Sequence, residues 1–164
     1  VGSVGTRCFL TISQDGDGNA LLLQSKEAGQ SVLIQYGRIA QPAELEQRIT
    51  EHGEGARVVA MQRILQAVSD PFLGHIRGPG RDFYLRQFHD MKGSIDAATL
   101  EDGPFGRYAE ACAAVLARAH AQATNAALVA GYIGNGRVVG ESLLEWAYAY
   151  AKVSRADYEA FIAS

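Results

Sequence analysis

The opening sequence VGSVGTRCFL contains two glycines, two hydroxyl side chains and then an apolar run. A glycine pair in a turn lets backbone N–H groups approach a polyphosphate closely, and a lysine on a following strand adds a compact positive charge. Lys26, near the end of the apolar run LLLQSKEA, is placed to be that lysine. We therefore expect the chain to bind the phosphates of a nucleotide, with ATP and Mg²⁺ as the expected cofactor, through Gly2, Ser3, Gly5, Thr6 and Lys26.

The order of the elements around Lys26 is typical of a protein kinase. In that class a Gly-rich loop is followed by a strand lysine, and then by a helix whose glutamate pairs with the lysine. Here a loop over 2–6, a hairpin, Lys26, a helix over 56–70 and a second hairpin follow one another. A Gly-rich edge strand with a lysine at a strand end explains the same residues without a ligand, so the spacing alone leaves both interpretations open.

The pattern of apolar residues and turn signals predicts an α+β fold, because the hairpins and the helices are segregated along the chain. We expect antiparallel hairpins with one packed helix, similar to the N-lobe of a kinase, followed by an all-helical C-terminal part. The expected subdomains are 1–95 and 96–164, within one compact unit. The predicted elements are strands over 6–13, 20–28, 72–76 and 83–92, and helices over 42–54, 56–70, 104–131, 140–153 and 154–163.

Composition narrows the classes of partner. The 164 residues include 15 basic and 18 acidic side chains, so there is no strong positive field and no nucleic-acid partner is expected. No apolar run approaches the roughly 18 residues that suggest a membrane span, so no membrane partner is expected. Cys8 and Cys112 lack the spacing of a metal site and indicate two buried, reduced thiols in a cytoplasmic protein.

Two further motifs fail when tested against their chemistry, and no catalytic or metal-binding residue is predicted within the chain. The stretch DGDGN resembles the start of a calcium loop, but Ala20 and Lys26 stand where the loop needs glycine and glutamate. The stretch LARAHAQATN resembles a kinase catalytic loop, but Gln122 stands where an aspartate must accept a proton. We therefore expect DGDGN to form a turn, and His120 of LARAHAQATN to be packed within a helix.

Five separated segments together resemble the bacterial family called domain of unknown function 2252. They are VGSVGTRC, LLLQSKEAGQSVL, RVVAMQRILQAVSDPFLG, RDFYLRQFHDMKGS and LARAHAQ, and they occur in colinear order over nearly the whole chain. The resemblance implies that the chain is the C-terminal part of a longer protein, whose first loop glycine lies two residues before Gly2. It also implies a more N-terminal region with GDxHxxN-like and DFD-like segments, which resemble the metal-binding and catalytic segments of small-molecule kinases.

Two departures from the family pattern leave two functions open. Ala60 stands where the family commonly has a glutamate, the natural partner of Lys26, and Ser25 replaces the usual apolar residue before the lysine. The first function is the nucleotide-phosphate-binding half of a kinase-like phosphotransferase, whose catalytic carboxylates come from the missing N-terminal region or another chain. The alternative is a non-catalytic, degenerate module that binds a protein partner or itself.

Overall fold

Two hairpins, joined side by side through their second strands, form a four-stranded antiparallel sheet in a computed structural model that describes residues 4–89 and 93–164. The strand order is β1-β2-β4-β3. Both hairpins were expected from the sequence, although residues 90–92, at the end of the last predicted strand, lie outside the described part. The strands are β1 (Cys8–Gln14), β2 (Ala20–Ala28), β3 (Gly74–Gly78) and β4 (Arg81–Gln87).

The loop between β1 and β2 is closed by a single carboxylate. Asp15 Oδ1 accepts hydrogen bonds from the backbone N–H groups of Asp17 and Asn19, and its Oδ2 accepts one from the Asn19 side-chain amide. The bonds from Asn19 hold the pKa of Asp15 below its usual range. Gly18 has φ 88°, a conformation that favours glycine. The stretch DGDGN is therefore a turn, as its failed match to a calcium loop predicts.

Three helices lie between the hairpins in the sequence. The stretch SVLIQYG forms the short helix α1 (Val32–Gln35), whose first turn is capped by the Ser31 hydroxyl. The next two are α2 (Ala43–His52) and α3 (Glu54–Leu65). They meet at Gly53, which ends α2 with φ 82° and begins α3.

Helix α3 packs directly on the sheet. A Cβ added to Gly55 would lie 2.2 Å from the backbone oxygen of Phe83 in β4, so the helix touches the strand there through backbone alone. Ala56 and Val59, on the same side of α3, are buried. These small and medium side chains let the helix approach the sheet closely.

The sequence predicted a different face and a longer extent for α3. The helix ends at Leu65, five residues before the end predicted at residue 70. Val58, Met61, Leu65 and Val68 recur at the three- and four-residue spacing that predicts a buried helix face. Met61, Leu65 and Val68 are nevertheless exposed. Helical periodicity identifies an apolar face of the helix. The face that packs on the sheet is a different one, which contains Gly55 and Ala56, because the helix backbone approaches the strand closely there.

The C-terminal part is helical, with boundaries that differ from the prediction. The helices are α4 (Asp102–His120), α5 (Ala126–Ile133) and α6 (Arg137–Ile162). The single helix expected over 104–131 is broken after His120, since Thr124 and Asn125 are residue types that favour turns over helix interiors. His120 is the last residue of α4, so its helical position is as predicted, but its side chain is exposed and the predicted packing is wrong.

The two helices predicted over 140–153 and 154–163 are one continuous helix. Ser154 and Asp157 have the spacing of a helix start, but they lie in the interior of α6. Nothing between Gly140 and Ser154 interrupts the helix, since that stretch has no glycine or proline. The capping motif at Ser154 and Asp157 therefore does not start a new helix, because α6 continues through it without interruption.

The chain divides into two compact units, residues 1–119 and 120–164. The first contains the sheet, α1 to α3 and nearly all of α4, and the second contains α5 and α6. The prediction of an α+β fold with a helical C-terminal part is confirmed, whereas the proposed boundary at 95/96 stays a prediction. Within the described residues, no helix is both long enough and apolar enough to cross a membrane.

Candidate functional site

Lys26 lies on the face of the sheet that α3 covers. Its partner in β4 is Tyr84, and the partner of Tyr84 in β3 is His75. Residues directly opposite each other in antiparallel strands project to the same face. The Cβ of His75 lies 3.1 Å from the position of a Cβ added to Gly55 in α3, which identifies this face as the helix-covered one.

The half-buried Lys26 has no protein counter-ion on this face. Among residues 4–89 and 93–164, no hydrogen bond or ion pair involves its ammonium. Ala60, one turn after the buried Ala56, has no group that could pair with it. Glu54, the acidic residue of α3, pairs with Arg57 of the same helix.

The glycine turn lies beside this end of β2. Gly5 has φ 77° and is exposed, and Thr6 follows it. The next residue, Arg7, faces Glu27, so the turn leads into the strand pair one residue from Lys26. Gly2 and Ser3 lie outside the described residues. The structure thus places Gly5, Thr6 and Lys26 at the same end of the β1–β2 hairpin.

Glu27 joins three separate stretches of chain at this end. Its Oε2 accepts a hydrogen bond of 3.0 Å from the Arg7 backbone N–H, and its own N–H donates to the Arg7 carbonyl at 2.9 Å. Its Oε1 accepts a 2.6 Å hydrogen bond from Arg81, at the start of β4. The bond from Arg7, followed by that from Arg81, holds the pKa of Glu27 below its usual range.

The start of α3 is held to the sheet by a carboxylate from β4. The Glu54 N–H donates a 2.8 Å hydrogen bond to Oδ2 of Asp82. Gly53 has no side chain that could cap the helix, so Asp82 supplies the acceptor that a capping residue normally provides. Arg77 of β3 donates to the carbonyls of Thr50 and Glu51 in the last turn of α2. Both ends of the α2–α3 junction are therefore anchored to the second hairpin.

The match to a protein family covers the entire chain. The family model of an uncharacterised protein conserved in bacteria, DUF2252, matches residues 1–164. The chain belongs to this family. No curated protein and no solved structure matched the chain.

The resemblance to DUF2252 seen in the sequence is therefore confirmed. The family description assigns no reaction, so the order of elements that resembles a kinase remains an interpretation of this chain's own residues.

An open groove of about 510 Å³ runs along the end of the sheet in this DUF2252 chain. Glu27, Arg77 and Arg81 are among its lining residues, whereas Lys26 is not. The side chains of Arg77 and Arg81 are already bonded to α2 and to Glu27. We therefore assign this groove to the junction of the two hairpins and not to the lysine site.

Sequence reasoning missed the side chains that organise the site. Glu27, Arg81 and Asp82 have no motif, because each contacts a residue between 20 and 54 positions away in the chain. Their positions beside turns and strand ends give no signal that distinguishes them from solvated charges. The structure alone identifies them as the contacts that hold the glycine turn and α3.

Proposed function

We propose that this DUF2252 chain is the nucleotide-phosphate-binding half of a kinase-like phosphotransferase. The observation that carries the proposal is Lys26, a half-buried cation beside a glycine turn that pairs with no group among the described residues. Removing an ammonium from water is costly unless an anion pairs with it. A phosphate group beside the turn would supply that anion.

In the proposed complex the turn and the lysine have separate roles. Backbone N–H groups around Gly2, Ser3, Gly5 and Thr6 bind phosphate oxygens, and Lys26 neutralises their charge. Gly5 contributes because its φ of 77° gives a turn conformation that other residues rarely adopt.

The described part of this chain has no cluster of side chains that would hold Mg²⁺ without a ligand. No group of three or more His, Cys, Asp or Glu side chains that could hold a metal occurs in residues 4–89 and 93–164. Mg²⁺ commonly binds through substrate phosphates together with one or two carboxylates. In the proposal the metal therefore arrives with the nucleotide, and the catalytic carboxylates belong to another segment or chain.

Calorimetric titration of ATP, ADP and GTP with Mg²⁺ tests this function. The wild type should bind at least one of them, and Lys26→Ala should weaken binding about tenfold or more, because a charge-assisted hydrogen bond is lost. Lys152→Ala, which removes an exposed lysine on α6, is the matched control and should leave affinity unchanged. No heat with any of the three nucleotides, or equal affinities of wild type and Lys26→Ala, would refute the proposal.

A second candidate function is the non-catalytic module that binds a protein partner or itself. The observation that favours it is the exposed aromatic surface of α6, where Trp146 stacks on Tyr150 with ring centroids 5.2 Å apart. These two side chains are 62% and 56% exposed. Aromatic side chains of this kind are enriched at protein interfaces.

Sedimentation velocity over a range of concentrations tests self-association. This function predicts a dimer that Trp146→Ala weakens, with Val115→Ala, an exposed apolar residue on α4, as the control. A wild type that stays monomeric at the highest concentration would exclude self-association through α6.

A further inference from the structure

We propose that Glu27 is a positioning residue that fixes the glycine turn relative to Lys26. This inference rests on the proposed function, because it assigns the part of the chain that gives the phosphate site its geometry. Glu27 is adjacent to Lys26 in β2, and its side chain projects to the opposite face of the sheet. It therefore acts on the turn without occupying the face where phosphate would bind.

The segment that leaves the turn is bonded to Glu27 at Arg7. Arg7 comes directly after Gly5 and Thr6, and β2 holds its backbone: its carbonyl accepts from the Glu27 N–H, and its own N–H donates to the Glu27 carboxylate. One residue thus satisfies both backbone polar groups of Arg7. Because Gly5 and Thr6 immediately precede Arg7, this pair of bonds constrains the exit of the turn.

The Glu27 carboxylate is itself held in place by Arg81 of the second hairpin. The Glu27 side chain is only 17% exposed, and its other oxygen is fixed by Arg81. Arg81 follows the tight turn at Gly80 (φ 71°) and begins β4, the strand that lies next to β2. The second hairpin therefore fixes the carboxylate, and the carboxylate in turn fixes the exit of the glycine turn.

Arg81 also neutralises the negative charge of the Glu27 carboxylate. An ionised carboxylate so close to the turn would repel phosphate if it were unpaired, whereas Arg81 neutralises it in this structure. The arrangement gives the turn an ordered exit without placing net negative charge beside Lys26. Loss of Arg81 alone should therefore weaken phosphate binding through uncompensated charge, although Arg7 remains bonded to the carboxylate.

Two measurements on three variants test the assignment. The variants are Glu27→Ala, Glu27→Gln and Arg81→Ala, and the control is Glu44→Gln, an exposed glutamate on α2. Amide hydrogen exchange of Arg7, followed by NMR without nucleotide, reports the turn directly, with the Thr11 amide in the middle of β1 as the internal reference. Calorimetry with Mg²⁺ and ATP reports the phosphate site.

In Glu27→Ala we expect the Arg7 amide to exchange about tenfold faster or more, with Thr11 unchanged and ATP affinity about tenfold weaker. Glu27→Gln keeps a side-chain oxygen that can accept from Arg7, so its exchange rate and affinity should lie between those of wild type and Glu27→Ala. Arg81→Ala should keep Arg7 protected and still lose affinity.

An Arg7 exchange rate in Glu27→Ala equal to that of wild type would overturn the inference. So would an ATP affinity equal to that of a wild type that binds. If the wild type does not bind nucleotide, the proposed function fails, and Arg7 exchange alone then decides whether Glu27 positions the turn. Faster exchange at Thr11 as well as at Arg7 would indicate general loss of the sheet and would also count against a local positioning role.

Discussion

The two faces of β2 carry neighbouring charges in contrasting environments. On one face the Glu27 carboxylate binds the Arg7 backbone and the Arg81 guanidinium. On the other, beneath α3, the Lys26 ammonium pairs with none of the described residues. A charge whose partners lie within the fold holds segments together, whereas a half-buried charge without one is available to a ligand. The comparison separates the residues that hold the segments of the fold together from the residue that is proposed to bind phosphate.

The largest expected effect comes from displacing α3 from the Lys26 face. In Gly55→Ala the new methyl group would overlap the Phe83 backbone oxygen, which cannot rotate away. We expect a loss of about 3 kcal/mol in the free energy of unfolding, because the helix must shift off the sheet. Urea denaturation measures this change.

The matched control for that change is Gly106→Ala in α4. An added Cβ there meets nothing within 4 Å, so the greater helix propensity of alanine should stabilise the protein by about 0.5–1 kcal/mol. If both variants have the same stability, α3 does not pack on the sheet through Gly55.

A smaller effect is expected where α3 begins. Asp82→Ala removes the acceptor for the Glu54 N–H, and we expect a loss of about 1 kcal/mol in the free energy of unfolding. Asp82→Asn retains a side-chain oxygen at the same place and should lose less. Thermal or urea unfolding of both variants checks that stability decreases from wild type to Asp82→Asn to Asp82→Ala. Equal stability of wild type and Asp82→Ala would show that the contact does not support the helix.

The contribution of Glu27 to the free energy of unfolding should depend on pH. The pKa of Glu27 is lowered in the folded state, so its contribution is complete above the ordinary pKa of a glutamate. The contribution is lost as the pH falls through the lowered pKa. Urea unfolding of wild type and Glu27→Gln should therefore differ at neutral pH and converge in acid. A difference that does not change with pH would show that ionisation of Glu27 is not linked to folding.

The sequence predicted the elements better than the contacts between them. Both hairpins and the α2–α3 region follow from turn residues and periodicity, which are local properties of the chain. The buried face of α3 could not be predicted, because it depends on how closely Gly55 approaches Phe83. Two helix boundaries also differ from the prediction. A turn at Thr124 and Asn125 divides the helix predicted over 104–131, and α6 continues through Ser154, where a new helix was predicted.

For the site, Lys26 was predicted from its type and place, and the structure puts it near Gly5 and Thr6 through the β1–β2 register. Glu27 and Arg81 could not be predicted, because their pairing depends on β2 and β4 becoming neighbours across 54 residues of sequence. The phosphate-binding roles of Gly5, Thr6 and Lys26 remain predictions, as do those of residues 2 and 3, which lie outside the described part.

The most direct test of the account is chemical labelling with an acyl phosphate derivative of ATP, whose carbonyl is attacked by a lysine amine held beside the phosphates. The amine forms an amide and ATP leaves. The chain has three lysines, Lys26, Lys92 and Lys152, so mass spectrometry assigns the label without ambiguity. We expect Lys26 to be labelled and excess ATP with Mg²⁺ to protect it, while any labelling of Lys152 is unaffected. Labelling of Lys26 no greater than that of Lys152, or labelling that excess ATP does not reduce, would contradict the account.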